Sequence, residues 1–477
     1  MKKTQLKNLI LITVLILATG GAIAYSSNKS GGFSTGWISA DPRPRAGGNQ
    51  IVTATGHLSQ NRVLIGSRGT VNLSLTLHAG HPETEERPPV RSVDMVIVLD
   101  RSGSMQGRKL MDARQAVNKL LSNLSANDRF ALVTYSEGVQ TVSGLVNVTD
   151  SNRAKLFSLV NGVRAGGGTN LSAGLQAGIN ILAAPLRSEN AARVILISDG
   201  LANRGLTDIN SLTGIASTAV ENEFAVSTVG VGTDFNEQLM TAIADHGTGN
   251  YYYLENPAAF AEVFQQEFYR TRTASITGLK IQIPVDTGIT LLNAAGYPVS
   301  IHNGKAFFYP GNLRPGQTRR INLTLQVPTS RQKTFELGNI KIHYQHNKRL
   351  YVTTIDDSLA IACVDDQEKV YSSIDKTSWS EKVIKEDFNR LKQEVATEIK
   401  AGRKQAALKK IEEYHNEQEA VNSVVGSARV ADNLDRDVGE LKSLVKDTFK
   451  GAPAAIRQKQ KSNAKSLQYD GYRGRRQ

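Results

Sequence analysis

The stretch DMVIVLDRSGSMQG, Asp94 to Gly107, decides the fold of this protein. Its apolar run Met95–Leu99 is short and continuous, which is typical of a strand buried on both faces of a parallel sheet. The run ends abruptly at Asp100, and Ser102 and Ser104 follow with one residue between them. The pattern predicts a central strand whose carboxyl end carries a polar loop.

The same alternation continues over residues 93–272. Apolar runs such as RVILISDG, 193–200, are separated by segments of helical periodicity such as LSAGLQAGINILAAPL, 171–186. Strands that alternate with helices imply crossover connections and a sheet covered on both faces. We therefore predict an α/β fold with a doubly wound, mostly parallel sheet, and GVQTVSGLVNVT, 138–149, as a shorter strand at an antiparallel edge.

The flanking segments have the period-2 pattern of β-strands. Apolar residues alternate with polar ones over residues 50–92 and again over 273–365, where Gly and Pro mark the turns. The simplest topology joins both segments in one β-sandwich with the α/β domain inserted between two strands. A separate small β unit at residues 50–92 is the alternative. Residues 375–450 then show amphipathic helical periodicity.

The N-terminus predicts export. Three lysines precede an apolar run from Leu9 to about Leu17, and Ala22-Ile23-Ala24 resembles a signal-peptidase site. Residues 1–26 are thus a cleaved signal peptide or a membrane anchor, and both place the following chain outside the cytoplasm. We expect the periplasm or cell envelope of a bacterium, with the inner membrane as the place of an anchor. Residues 27–49, rich in Gly, Ser and Pro, are predicted to be a linker.

The charge of +13 is concentrated at the C-terminus. From Thr448 to Gln477 there are eight Lys and Arg but one acid, Asp470. We expect residues 451–477 to be a disordered basic tail, either solvated or in electrostatic contact with an acidic envelope surface, and an exported protein is not expected to bind nucleic acid. Because Cys363 is the only cysteine, no disulfide forms within the chain, and the fold depends on core packing.

Polar residues are predicted to meet at one edge of the sheet. Asp100 and Asp199 each end an apolar strand, and Thr169 lies in the glycine-rich segment RAGGGTNLSAG, 164–174. The ligand crevice of an open α/β sheet lies outside the carboxyl ends of its strands. With Ser102 and Ser104, this set offers only oxygen ligands, which suit a hard cation such as Mg²⁺ and disfavour zinc.

These motifs resemble the metal-ion-dependent adhesion site of von Willebrand factor A-type domains. The resemblance covers about residues 92–270, and D-x-S-x-S at Asp100, the Thr169 loop and S-D-G at Asp199 match all five ligand positions. It implies that Ser102 and Ser104 bind the ion directly and that Thr169 does so when a partner is engaged. Asp100 and Asp199 would hold coordinated waters. Mg²⁺ is the expected ion, with Ca²⁺ and Mn²⁺ as alternatives.

The resemblance also implies a function. We expect a protein-binding, adhesion or scaffold role in which a protein partner supplies an Asp or Glu to the ion. The alternative is a subunit of an ion-transport, enzyme or cofactor-assembly system that uses the domain for docking. A catalytic role is not expected, because no G-x-S-x-G elbow surrounds a serine and GVRAGGGT, 162–169, lacks the lysine of a P-loop. The oligomeric state does not follow from the sequence.

Overall fold

The computed structural model describes most of the chain beyond the N-terminus. The described residues are 51–80, 91–184, 190–256, 259–285, 288–347, 349–355 and 359–476. The predicted export segment 1–26 and the linker 27–49 lie outside them. Within the described ranges, none of the helices has both the length and the hydropathy that a membrane crossing requires.

Eighteen strands are described. In chain order they are β1 Val52–Leu58, β2 Arg62–Leu64, β3 Thr70–Ala79, β4 Val93–Asp100, β5 Arg129–Tyr135, β6 Val139–Asn147, β7 Ala191–Ser198, β8 Ala225–Val231, β9 Thr248–Leu254, β10 Ile276–Pro284, β11 Thr290–Ala294, β12 Ser300–His302, β13 Lys305–Phe308, β14 Thr318–Gln326, β15 Lys333–Leu337, β16 Ile340–His346, β17 Arg349–Ile355 and β18 Leu359–Val364.

Helices lie between the strands of the α/β domain and after the last strand. They are α1 Arg108–Asn123, α2 Asp150–Gly162, α3 Leu171–Ala183, α4 Ile209–Glu221, α5 Glu237–His246, α6 Phe260–Arg272, α7 Gln367–Ser372, α8 Lys376–Lys382, α9 Phe388–Lys400, α10 Lys404–Val425, α11 Ala428–Asp432, α12 Gly439–Thr448 and α13 Pro453–Arg476. One 3₁₀ turn, Gly103–Met105, precedes α1, and two π-helical turns, Val383–Asp387 and Asn433–Val438, precede α9 and α12.

The α/β domain is built on a six-stranded sheet of order β6-β5-β4-β7-β8-β9. Its strands are parallel except β6, which pairs antiparallel with β5 at the edge. All eight residues of β4 are buried, since helices cover both faces of the sheet. Met95, Ile97 and Leu99 pack on one face, and Val96 and Val98 pack on the other. The predicted α/β class and the antiparallel edge strand are confirmed.

The strands outside the α/β domain form three further sheets around one apolar core. Their orders are β1-β3-β14-β11, β12-β13-β10-β16-β17 and β15-β18-β2. Strands β3 and β14 pair antiparallel from Thr70↔Gln326 to His78↔Thr318. Because β3 precedes the α/β domain and β14 follows it, this domain is inserted between strands of the β unit.

The expected disordered basic tail is wrong. Residues Pro453–Arg476 form the helix α13, and its residues Ala464, Lys465, Leu467, Gly471 and Tyr472 are buried. The helix packs closely on α9: a Cβ added at Gly471 would lie 2.6 Å from the carbonyl oxygen of Asn389. The absence of a side chain at Gly471 therefore permits this close helix contact.

The basic residues of α13 have acidic partners on the α/β domain. Lys461 Nζ donates to Asp234 Oδ1 at 2.7 Å, and Arg476 Nη2 donates to Asp245 Oδ1 at 2.5 Å. The buried ammonium of Lys465 donates to Glu237 Oε2 at 2.9 Å. These pairs compensate charges that the sequence places together at one end of the chain, so the helix can pack instead of remaining solvated.

Candidate metal centre

Three loops meet at the carboxyl edge of the central sheet. They are residues 101–107 after β4, 163–170 before α3 and 199–208 after β7. Backbone hydrogen bonds join them: the Gly103 N–H donates to the Gly167 carbonyl at 3.0 Å, and the Asn203 N–H donates to the Thr169 carbonyl at 3.1 Å. The loops carry Ser102, Ser104, Thr169 and Asp199, and Asp100 ends β4, so the edge brings all five of these residues together.

Asp100 lies at the base of the site. Its side chain is fully buried, Oδ1 accepts the N–H of Ser102 at 2.8 Å, and Oδ2 accepts the hydroxyl of Ser198 at 3.0 Å. Burial raises the pKa of Asp100, since it removes water from the carboxylate, and the nearby Asp199 acts in the same direction. The hydrogen bonds from Ser102 and Ser198 oppose the rise. A carboxylate in this position lacks full compensation of its charge.

The predicted hydroxyl ligands lie beside the second acid. The Oγ atoms of Ser102 and Ser104 are 3.1 Å apart, and Ser104 Oγ donates to Asp199 Oδ1 at 2.6 Å. Asp199 is fully buried, whereas Ser104 is exposed. A methyl group added at Gly200 would lie 3.5 Å from Ser104 Oγ and 3.7 Å from Thr169 Oγ1. The hydroxyls of Ser104 and Thr169 therefore approach the same point.

Lys109 contacts the site from the first turn of α1, and sequence reasoning missed it. Its Nζ donates to Asp199 Oδ2 at 2.5 Å, and its side chain is 29% exposed. The ammonium compensates part of the negative charge of the two buried acids. Lys109 lies only two residues beyond the stretch that ends at Gly107, but nothing in the local pattern predicts that its side chain reaches Asp199.

Two further side chains hold the ligand loops in place. Ser198 donates to Asp100, and Asn203 Oδ1 accepts the N–H of Thr169 at 2.9 Å. Ser198 belongs to the S-D-G motif from which Asp199 was predicted as a site residue. The motif gave no indication that Ser198 donates to Asp100. Asn203 comes from the loop after β7 and fixes the backbone of the loop before α3. Its partner is 34 residues away, which no local pattern could predict.

The chemistry of the donor set fits a hard divalent cation. Among the described residues, no group of three or more His, Cys, Asp and Glu side chains could hold a metal. A cation at this edge would therefore depend on the hydroxyls of Ser102, Ser104 and Thr169 together with the charges of the two acids. Oxygen ligands of this kind suit Mg²⁺ or Ca²⁺ and offer nothing to a soft metal.

Comparison with known proteins agrees with this geometry. The model of the von Willebrand factor type A domain family matches residues 94–266, which span the sheet and all three loops. Residues 94–266 form a von Willebrand factor type A (VWA) domain. The predicted resemblance is confirmed for the domain, and the β unit and helical region lie outside the match.

Similar proteins extend beyond the VWA domain. An uncharacterised protein of Synechocystis sp. is 24% identical over 345 residues, which cover 70% of this chain and 80% of that protein. Mouse inter alpha-trypsin inhibitor heavy chain 4 is 27% identical over 302 residues, 58% of this chain but 32% of its own length. This chain therefore spans only about a third of that animal relative.

A solved structure shares the whole architecture. The von Willebrand factor type A protein from Catenulispora acidiphila superposes with a TM-score of 0.66 at 16% identity, covering 90% of this chain and 98% of that one. At this identity the likeness concerns the fold alone. It nevertheless extends well past residues 94–266, so the VWA domain, the β unit and the helical region occur together in another protein.

Proposed function

We propose that this protein is a metal-dependent protein-binding module of the bacterial envelope. The observation that carries the proposal is the convergence of Asp100, Asp199 and three hydroxyl side chains at one accessible edge of a VWA domain. Ser102, Ser104 and Thr169 would hold a divalent cation, Mg²⁺ in the first instance. Asp100 and Asp199 would contribute the negative charge that retains it.

The arrangement suits binding of a partner's carboxylate. Hydroxyl ligands are neutral, so they compensate less of a cation's charge than direct carboxylate ligands would. The exposed Ser104 places the site at the surface, where a side chain of another protein can reach it. We therefore expect an Asp or Glu of a protein partner to complete the coordination. Binding and not turnover is the proposed activity, because Asp199, the carboxylate that accepts the Ser104 hydroxyl, is already paired with the ammonium of Lys109.

The envelope location rests on the N-terminal sequence. Lysines followed by an apolar run predict export, and the same segment predicts either cleavage or anchoring in the inner membrane. Cell fractionation followed by mass spectrometry of the protein's N-terminus distinguishes the two. Recovery of the full-length chain in the soluble cytoplasm would contradict export.

The binding proposal is tested by capture from envelope extract. The immobilised wild-type protein is compared with Asp100→Ala, in Mg²⁺ and in EDTA, with Asp150→Ala as the control. Asp150 is a fully exposed acid on α2, so its removal should change nothing. We expect a captured protein that EDTA releases, that the control retains and that Asp100→Ala does not bind. Equal capture by wild type and Asp100→Ala would overturn the proposal.

A further inference from the structure

A groove adjoins the metal centre on the side of α1. It has a volume of about 620 Å³, and one wall starts at Gln106 and Gly107, the last two residues of the loop after β4. The other wall is the segment 163–165, the first part of the loop before α3 that carries Thr169. The Gly166 N–H donates to the Arg101 carbonyl at 2.8 Å and ties the two walls together. The groove therefore begins within two residues of Ser104 along the chain.

The groove contains an exposed apolar side chain. Met111 is 52% exposed although it is large and apolar, and it lines the groove together with the buried Leu110 and Val163. Leu201 and Leu206, in the loop after Asp199, are also 58% and 51% exposed. Exposed apolar residues gathered around a polar site are typical of protein interfaces. An unbranched methionine also adapts to partners of different shape.

The groove is basic. Arg108, Arg114 and Arg164 line it, and no acid is among its lining residues, which all belong to the described chain. The guanidinium groups of Arg114 and Arg164 each donate to the carbonyls of Asn161 and Val163, where α2 ends. Arg108 is paired with Asp112 at 3.5 Å, but its side chain is 75% exposed. Backbone carbonyls orient two of these cations without cancelling their charge, so the groove attracts anionic groups.

We propose that this groove binds an acidic segment of the partner that flanks its metal-binding carboxylate. An apolar side chain of the segment packs on Met111, and further Asp or Glu side chains pair with Arg108 and Arg164. The inference rests on the proposed function, because the first carboxylate of the segment is the one that reaches the metal centre. It specifies the partner: the recognised element is an acidic stretch with an apolar residue beside the key acid.

The test selects random peptides displayed on phage. Immobilised wild-type protein is incubated with the library in Mg²⁺, and bound phage is eluted with EDTA. We expect the eluted sequences to contain an Asp or Glu followed or preceded closely by an apolar residue and by further acids. A selection on Met111→Asp should lose the apolar residue, and a selection on Arg164→Glu should lose the additional acids.

Affinities of one selected peptide, measured by fluorescence anisotropy, make the test quantitative. Met111→Asp should weaken binding of this peptide by about tenfold. This fold-change corresponds to losing about 1.4 kcal/mol of apolar burial. Arg164→Glu should also weaken the peptide and reduce the salt dependence of its binding. Leu350→Asp and Arg349→Glu, exposed positions on β17, are the matched controls and should leave the affinity unchanged.

The outcomes separate the two proposals. Failure to obtain any phage that EDTA elutes from the wild type, with Mg²⁺ present, would overturn the proposed function itself. EDTA-eluted peptides that share an acid but no apolar or additional acidic residue would overturn only the proposal that the groove binds the partner. Equal affinity for wild type and Met111→Asp would do the same. Unchanged Mg²⁺ binding by Met111→Asp, measured calorimetrically, shows that the variant retains an intact centre.

Discussion

Two groups of buried carboxylates in the α/β domain differ in how their charge is compensated. At the carboxyl ends of the strands, Asp100 and Asp199 are surrounded by hydroxyls and contacted by one described lysine, Lys109. In the amino-terminal halves of the strands, the fully buried Glu267 of α6 has a set of partners that belong to the chain itself. Arg193 Nη1 donates to Glu267 Oε2 at 2.5 Å, and Ser227 Oγ donates to the same oxygen.

The partners of Glu267 complete its charge compensation. Tyr252 donates to Oε1 at 2.6 Å and Asn250 at 2.8 Å. Burial alone would raise the pKa of Glu267, but Arg193 and the hydrogen bonds from Ser227 and Tyr252 outweigh burial, and the pKa is lowered. At Asp100 burial prevails and the pKa is raised. The Glu267 cluster is thus fully compensated by the chain's own groups, whereas the carboxylate of Asp100 is less well compensated by the described residues around it.

The largest expected effect is a loss of folding stability when the Glu267 cluster is disrupted. Glu267→Ala leaves the guanidinium of Arg193 buried and without its main partner, which should lower the free energy of unfolding by about 3–5 kcal/mol. Glu262→Ala, an exposed position on the same helix, should change it by less than about 0.5 kcal/mol. Urea denaturation measures both. Similar midpoints for the two variants would mean that the cluster is not structurally important.

The metal centre should respond to an ion instead. Mg²⁺ at about a hundred times its dissociation constant should raise the free energy of unfolding of the wild type by about 2.7 kcal/mol. Asp100→Asn should be folded without metal and gain nothing from it, since one of the two retaining charges is gone. Asp150→Asn is the control and should behave as the wild type. Thermal unfolding with and without Mg²⁺ measures the gain in stability. An equal gain by Asp100→Asn and the wild type would show that Asp100 does not retain the ion.

Lys109 should compete with the cation. Its ammonium contacts Asp199 Oδ2, so Lys109→Met frees that oxygen and removes a positive charge from the centre. We expect Mg²⁺ to bind about tenfold more tightly, a change of about 1.4 kcal/mol. Lys119→Met, exposed on the same helix, is the matched control. Isothermal titration calorimetry measures both affinities, and weaker Mg²⁺ binding by Lys109→Met would show that the lysine supports the centre.

The smallest expected effect is a pH dependence of the free energy of unfolding that is due to Glu267. The pKa of Glu267 is lowered from its ordinary value of 4.5. Its stabilising contribution is therefore present above about pH 4.5 and lost as the pH falls through the lowered value. Below pH 4.5 the wild type should lose this part of its stability, and Glu267→Gln, already less stable, should show a shallower slope. Parallel slopes in urea denaturation at several pH values would contradict the lowered pKa.

Local patterns predicted much of the site because its chemistry is local. Asp100, Ser102 and Ser104 fall within five residues, and Asp199 ends a strand with the same apolar pattern. Parallel strands bring their carboxyl ends to one edge, so adjacency of the loops follows from the fold class. The roles of Lys109 and Asn203 could not be predicted in this way, since a side chain's partner depends on the orientation of its helix or loop.

The C-terminal helix shows the limit most clearly. A segment with eight basic residues and one acid, residues 448–477, has the charge of a disordered tail, although its run of Ala, Gln, Lys and Arg favours a helix. The acids that pair with it, Asp234, Glu237 and Asp245, lie more than two hundred residues earlier in the chain.

The sequence by itself determined the α/β class, the strand ends that carry Asp100 and Asp199, and the oxygen-only donor set, because each depends on periodicity or on residue type within a short window. The tertiary structure alone decided which charges are compensated. Lys109 reaches Asp199, Arg193 reaches Glu267, and α13 meets its acids only after the chain has folded. The physical reason is that the free energy of a buried charge depends on its neighbours in space, and their positions are not encoded in any one segment.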